Sequence, residues 1–121
     1  MKEKFRGKNK KGQWVYGYLM GEKYIGSFDP KKPKYEEVLP ETVGQRSDVM
    51  ASNGIVWEGD IVSHISEWDG IDHKFINKVV FEDGAFRAGE CGHELSECDK
   101  LEIIGNVTDN PDMEYDYYEE V

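Results

Sequence analysis

The chain has little of what builds metal centres, redox pairs or hydrolytic sites: two cysteines and three histidines in 121 residues. No apolar run approaches the ~18–20 residues needed to span a bilayer. The charged start, Met1-Lys2-Glu3-Lys4, is followed by no apolar segment of the kind a signal peptide carries. P-loop, GxGxxG, HExxH and GxSxG patterns are all missing. These absences predict a soluble cytoplasmic protein that is not an enzyme, needs no cofactor, does not enter membranes, and keeps Cys91 and Cys98 as reduced thiols. Helix signals are scarce as well, which turns attention to strands and turns.

Charge is present in excess and unevenly placed. Fifteen Lys and Arg face twenty-five Asp and Glu, a net charge of −10. Residues 1–34 hold ten bases against three acids, whereas residues 35–121 hold five against twenty-two. The acidic majority repels phosphate, so nucleic acid has one footprint to use, Lys4, Arg6, Lys8, Lys10 and Lys11, with Trp14 or Tyr16 as stacking platforms. Solvated lysines around turns, partly neutralised by the acidic remainder, are the plainer reading. Mimicry of DNA is less favoured still, because the acids are scattered among turns and gathered in the tail rather than arrayed along one face.

The strand-forming runs are short and separated by turn dipeptides. Phe5-Arg6-Gly7 and Gln13 to Leu19 flank a Lys10-Lys11-Gly12 turn, and Lys23 to Phe28 ends at the loop Asp29-Pro30-Lys31-Lys32-Pro33. Leu39 to Gln45 reads as extended and broken by glycine. Asn53-Gly54 predicts a type I′ turn. Glu58-Gly59, Asp69-Gly70 and Asp83-Gly84 add three more turns around the runs Asp60 to Ser66, Phe75 to Phe81 and Ala85 to Ala88. So many turns in so short a stretch predict a strongly bent sheet or small barrel, closed by Leu101 to Val107. His93 to Lys100 has room for one helical turn. The expected organisation is one β-rich domain over residues 1–108, with basic N-terminal strands at 1–34 and a barrel-like part at 53–108. Residues 109–121, with six acids and three tyrosines, are expected to fray, with docking on a neighbour as the less favoured alternative.

Two clusters are candidates for chemistry. Cys91, His93 and Cys98 could supply soft ligands to zinc, with His73 or a carboxylate as a fourth, but the spacing fits no zinc module and reduced cysteines in a loop explain it better. Glu58 and Asp60 flank Gly59 beside Trp57. Paired carboxylates can divide acid and base roles, yet in a tight turn Asp more often bonds local backbone amides. We read Trp57-Glu58-Gly59-Asp60 as a structural corner.

Four blocks then occur in a recognisable order. They are Lys4-Phe5-Arg6 with Trp14-Val15-Tyr16-Gly17; Pro40-Glu41-Thr42-Val43-Gly44-Gln45; Asn53-Gly54 through Ile55 to Glu58-Gly59-Asp60-Ile61-Val62; and Ile104-Gly105-Asn106-Val107 with Asn110-Pro111. Together with Val79 to Phe86, they resemble the YopX family of small bacteriophage and prophage proteins over about residues 4–111. Residues 48–52 depart from the Gly-Leu-Lys-Asp-like run usual before the Asn-Gly. The resemblance implies a β-rich fold with an SH3-like barrel component and a bacterial host cytoplasm; it supplies no activity and no catalytic residue. The resulting expectation is a non-enzymatic interaction protein whose partner is a host or phage protein. Homo-oligomerisation stays open, and nucleic-acid binding is the alternative.

Overall fold

A computed structural model describes residues 3–27 and 34–121. The proline-containing loop at 29–33 and the end of the strand expected to reach Phe28 lie outside the described residues. The chain divides into two compact units, Met1–Arg46 and Ser47–Val121. It is mainly β, with antiparallel strands and no α-helix among the described residues.

The first unit contains β1 (Phe5–Lys8), β2 (Trp14–Met20), β3 (Tyr24–Ser27), β4 (Lys34–Glu37) and the start of β5 (Gly44–Ala51). Its strands lie side by side in the order β4-β3-β2-β1-β5. The N-terminal sheet thus extends past residue 34, because β4 pairs with β3 and Gly44-Gln45 pair with β1. Pro40–Thr42 forms a single 3-10 turn between them. The core here is small and centres on Ile25 and Val38.

The second unit takes the rest of β5 and continues through β6 (Gly54–Trp57), β7 (Asp60–Trp68), β8 (Ile71–Glu82), β9 (Ala85–Ala88), β10 (Asp99–Asn106) and β11 (Tyr117–Glu120). Its main sheet runs β10-β7-β8-β11, and β9 also pairs with β8. Val56, Val62, Val79, Leu95 and Leu101 form the core, with Ala51 and Ala88 filling the narrow places. Leu95 reaches it from a 3-10 turn at Leu95–Glu97.

Three expectations are corrected. The SH3-like small barrel is not closed among the described residues, since β10 pairs with β7 and ends the sheet instead of bridging its two edges. The C-terminal tail does not simply fray. Tyr117 to Glu120 pair residue by residue with Ile76 to His73, and the tail thereby covers part of the outer edge of β8. Asn53-Gly54 is not a type I′ turn, which needs positive φ at both central residues. Gly54 has it, at +144°, and Asn53 does not. The Asn53 amide instead imitates a strand, accepting from Ile103 N–H at 2.9 Å and donating to its carbonyl at 2.8 Å. At Asp69-Gly70 and Asp83-Gly84 both residues are left-handed, as tight hairpins require.

Candidate functional site

The five cations offered for nucleic acid lie in the first unit, and most are engaged within it. Arg6 is buried, with its guanidinium 4.3 Å from the centre of the Trp14 ring. Lys8 Nζ lies 4.9 Å from the same ring and donates to the Gly12 carbonyl at 2.9 Å. Trp14 is therefore held by two cations rather than presented bare to a base. Lys10 pairs with Glu37 at 3.2 Å, and Lys23 reaches the same carboxylate at 3.4 Å. Their hydrogen bonds and positive charge, Lys10 first, hold the Glu37 carboxyl below its ordinary pKa. Lys4 and Lys11 are exposed.

A different feature of this unit faces outward. Met20 faces Tyr24 across β2 and β3, Tyr35 on β4 stands diagonally from Tyr24 and opposite Gly26, and this slanted row lines a shallow apolar concavity. Gly26 leaves the room Tyr35 uses: a Cβ there would meet Tyr35 Cδ1 at 2.8 Å and the Lys34 carbonyl oxygen at 2.0 Å. Tyr24 and Tyr35 keep 42% and 53% of their surface exposed. Among the described residues, β4 is the outermost strand on this side. The tyrosine residue type was visible in the sequence, but the row across three strands was not, since it depends on pairing.

In the second unit the Trp57-Glu58-Gly59-Asp60 corner is knitted into its surroundings. Asp60 is buried and accepts the Trp57 N–H at 2.8 Å. Gly59 donates to the Val79 carbonyl at 2.9 Å and accepts from Val107 N–H at 3.0 Å. Its φ of +92° is one that glycine adopts without strain. Backbone capping therefore accounts for Asp60, whereas Glu58 is half-buried beside it.

Cys91, His93 and Cys98 are not gathered into a ligand set. Leu95 anchors the turn between them in the core, and Cys98 packs against that core with its thiol toward the Glu94 carbonyl at 3.5 Å. Cys91 stands exposed at the other end of the loop. Burial, then the charges of Asp99 and Glu97, push the Cys98 thiol up to about 11. Among the described residues no group of three His, Cys, Asp or Glu is placed to hold a metal ion. His73, offered as a fourth ligand, is buried and stacked on Trp68 with ring centres 3.4 Å apart.

The site that sequence reading missed is a notch of about 260 Å³. It opens where the outer edge of β8 changes partner. β9 ends at Ala88, and β11 begins at Tyr117. Between them Gly89 N–H reaches the Lys78 carbonyl at 2.9 Å and Asp116 N–H reaches that of Ile76 at 2.6 Å. His64, Phe75, Asn77, Glu90, His93 and Asp116 line the space. His64 is buried, stacks on Phe75 with ring centres 5.3 Å apart, and places Nε2 3.0 Å from Asn77 Oδ1.

The hydrogen-bond polarity of this row follows from its carboxylate end. Asn77 Nδ2 donates to Asp116 Oδ1 at 3.2 Å, because a carboxylate only accepts. Asn77 Oδ1 must then accept, so His64 Nε2 carries the proton and Nδ1 keeps a lone pair. Burial lowers the His64 pKa most, the Asn77 bond opposes this, and the nearby His93 lowers it again. Gly89 belongs to the same arrangement, since a Cβ there would meet Asn77 Nδ2 at 2.9 Å. Only the fold brings together residues 64, 77 and 116; no motif spacing signals them.

No helix among the described residues is long and apolar enough to cross a membrane. Comparison with protein-family models, with curated proteins and with solved structures finds no match.

Proposed function

We propose that this chain is a non-enzymatic protein-interaction module that receives a partner on the Met20–Tyr24–Tyr35 row and the adjoining edge of β4. The observation that carries this reading is the exposure of two diagonally placed tyrosines, one on the outermost strand β4 and one on its neighbour β3. Tyrosine supplies large contact area with little entropy lost on binding, and a strand edge offers backbone groups to an added strand. Lys10 and Lys23, gathered on Glu37 beside Tyr24, give the row a polar rim. The ordered YopX-like blocks add a phage or prophage setting and the cytoplasm of a bacterial host, where a host or phage protein would be the partner.

Nucleic-acid binding has less support, because Arg6, Lys8 and Lys10 are already engaged and Trp14 is covered by cations. The test compares the wild type with a Tyr24→Ser/Tyr35→Ser variant in capture from bacterial lysate, with circular dichroism to verify folding. A protein recovered by the wild type and lost with the folded variant supports the proposal. Identical recovery by both, or retention dominated by nucleic acid and abolished by salt, overturns it.

A further inference from the structure

We propose that the notch between β9 and β11 is a binding site for a small organic cation, an alkylammonium or guanidinium group. The site lies wholly within the Ser47–Val121 unit and is independent of the tyrosine row. Its physical origin is the change of strand partner along β8: two short strands end there, and no side chain from either fills the gap.

The lining is specific in sign. Asp116 and Glu90 contribute two carboxylates, against the imidazoles of His64, whose Nε2 proton is committed to Asn77, and of His93. Phe75 lines the notch beside them with its ring stacked on His64, which gives the wall an apolar part for an alkyl chain. Asp116 uses Oδ1 for Asn77 and for the Lys78 N–H, at 3.2 and 3.3 Å, so that atom fixes the site's geometry and Oδ2 remains for a ligand. An ammonium group with three donors, or a guanidinium with five, matches this set of acceptors; a carboxylate or phosphate ligand would face two like charges.

The walls are held in place before any ligand arrives. Arg87 ties the loop to the end of β8, with Nε donating to the Glu82 carbonyl and an Nη to the Gly92 carbonyl, each at 3.2 Å. Glu82 also accepts the Cys91 N–H at 2.9 Å. A pre-formed wall avoids the ordering cost that weakens binding to loose sites. The volume suits a short alkyl chain or a single side chain, so the cation could be a free amine or the lysine or arginine side chain of a peptide.

The test titrates the full chain with butylammonium, with guanidinium, with a blocked Ala-Lys-Ala peptide and with butyrate as the anionic control, following backbone amide shifts by NMR. The expected result is saturable shifts at Ala88, Gly89 and Gly92 with one or more cations and none with butyrate. Glu90→Gln, at an exposed position, should weaken binding about tenfold, and Asp116→Asn should weaken it further. Binding of the peptide alone assigns the site to a partner's side chain, and equal binding of butylammonium assigns it to a free amine; either supports a cation site. No saturable shift at these amides with any cation overturns the proposal, as does affinity unchanged in Glu90→Gln and Asp116→Asn.

Discussion

Removing one oxygen atom from Tyr18 should make the first unit more stable. Tyr18 lies on β2 opposite Gly26, and its hydroxyl is buried with no hydrogen-bond partner among the described residues. A hydroxyl in that position has given up water and gained nothing, a loss of about 1–3 kcal/mol. Tyr18→Phe keeps the ring and its packing while deleting the stranded oxygen. Some of the gain is offset because the unfolded chain also loses a well-hydrated group, so a net stabilisation of about 1 kcal/mol is expected. That gain matters in a unit whose buried aliphatic core centres on Ile25 and Val38. Trp57 and Trp68 would mask Trp14 in a fluorescence melt, so the suitable assay is native-state amide exchange at Leu19 and Ile25, which face each other across β2 and β3. About 1 kcal/mol corresponds to roughly fivefold slower exchange under conditions where reclosing outpaces the exchange step. Tyr35→Phe, at an exposed hydroxyl, serves as the control and should change the rate little. Unchanged or faster exchange in Tyr18→Phe would mean that the hydroxyl is satisfied in solution, and the reasoning would fail.

Gly59→Val should cost at least about 1–2 kcal/mol in a denaturant titration, because a β-branched residue must hold a φ of +92°, while Glu58→Gln should stay within about 0.5 kcal/mol; equal losses would remove the structural-corner reading. Thiol labelling near pH 8 should modify exposed Cys91 promptly and Cys98 only on unfolding, since burial raises the latter's pKa to about 11; a single common rate would contradict the structure. His64 has a folded pKa below its unfolded value, so on acidification the unfolded chain takes up the proton first. Its contribution is complete above about pH 6.5 and is lost as pH falls from there through the folded pKa, with a slope of at most about 1.4 kcal/mol per pH unit. His64→Gln should flatten that acid limb in stability measurements at pH 5 to 7, and an unaltered limb would show that His64 is not the titrating group.

The parts of the fold that were legible in the sequence are those set by neighbours a few residues apart. Asp69-Gly70 and Asp83-Gly84 tolerate positive φ wherever they occur, and both make hairpins. The Ile104-Gly105-Asn106-Val107 and Asn110-Pro111 block also proved local. Asn106 Oδ1 accepts from Thr108 and Asp109 N–H, and Asn110 Oδ1 accepts from Asn106 N–H. Asn53 was misread because its amide finds Ile103, fifty positions away, and that long-range bond outweighs the dipeptide's preference. The tail was misread from its charge. Composition describes the solvation of an isolated segment, but four tail residues have an open strand edge to pair with and Tyr118 has Phe75 and Trp68 to pack against.

The candidate sites divide in the same way. Spacing drew attention to Lys4 through Lys11 and to Cys91, His93 and Cys98, yet spacing cannot show that Arg6 is buried against Trp14 or that Leu95 pulls Cys98 into the core. An acidic, β-rich chain punctuated by tight turns, with a corner expected at Trp57-Glu58-Gly59-Asp60, can be read from the residues alone. Those properties follow from composition, side-chain alternation and backbone sterics, which act within a few residues. Tertiary structure alone decided which strand edges are covered, which tyrosines face outward, and that His64, Asn77 and Asp116 share one hydrogen-bonded row. Each of those depends on which distant segment pairs with β8 or β3, and pairing is settled by burial and backbone hydrogen bonding summed over the whole sheet.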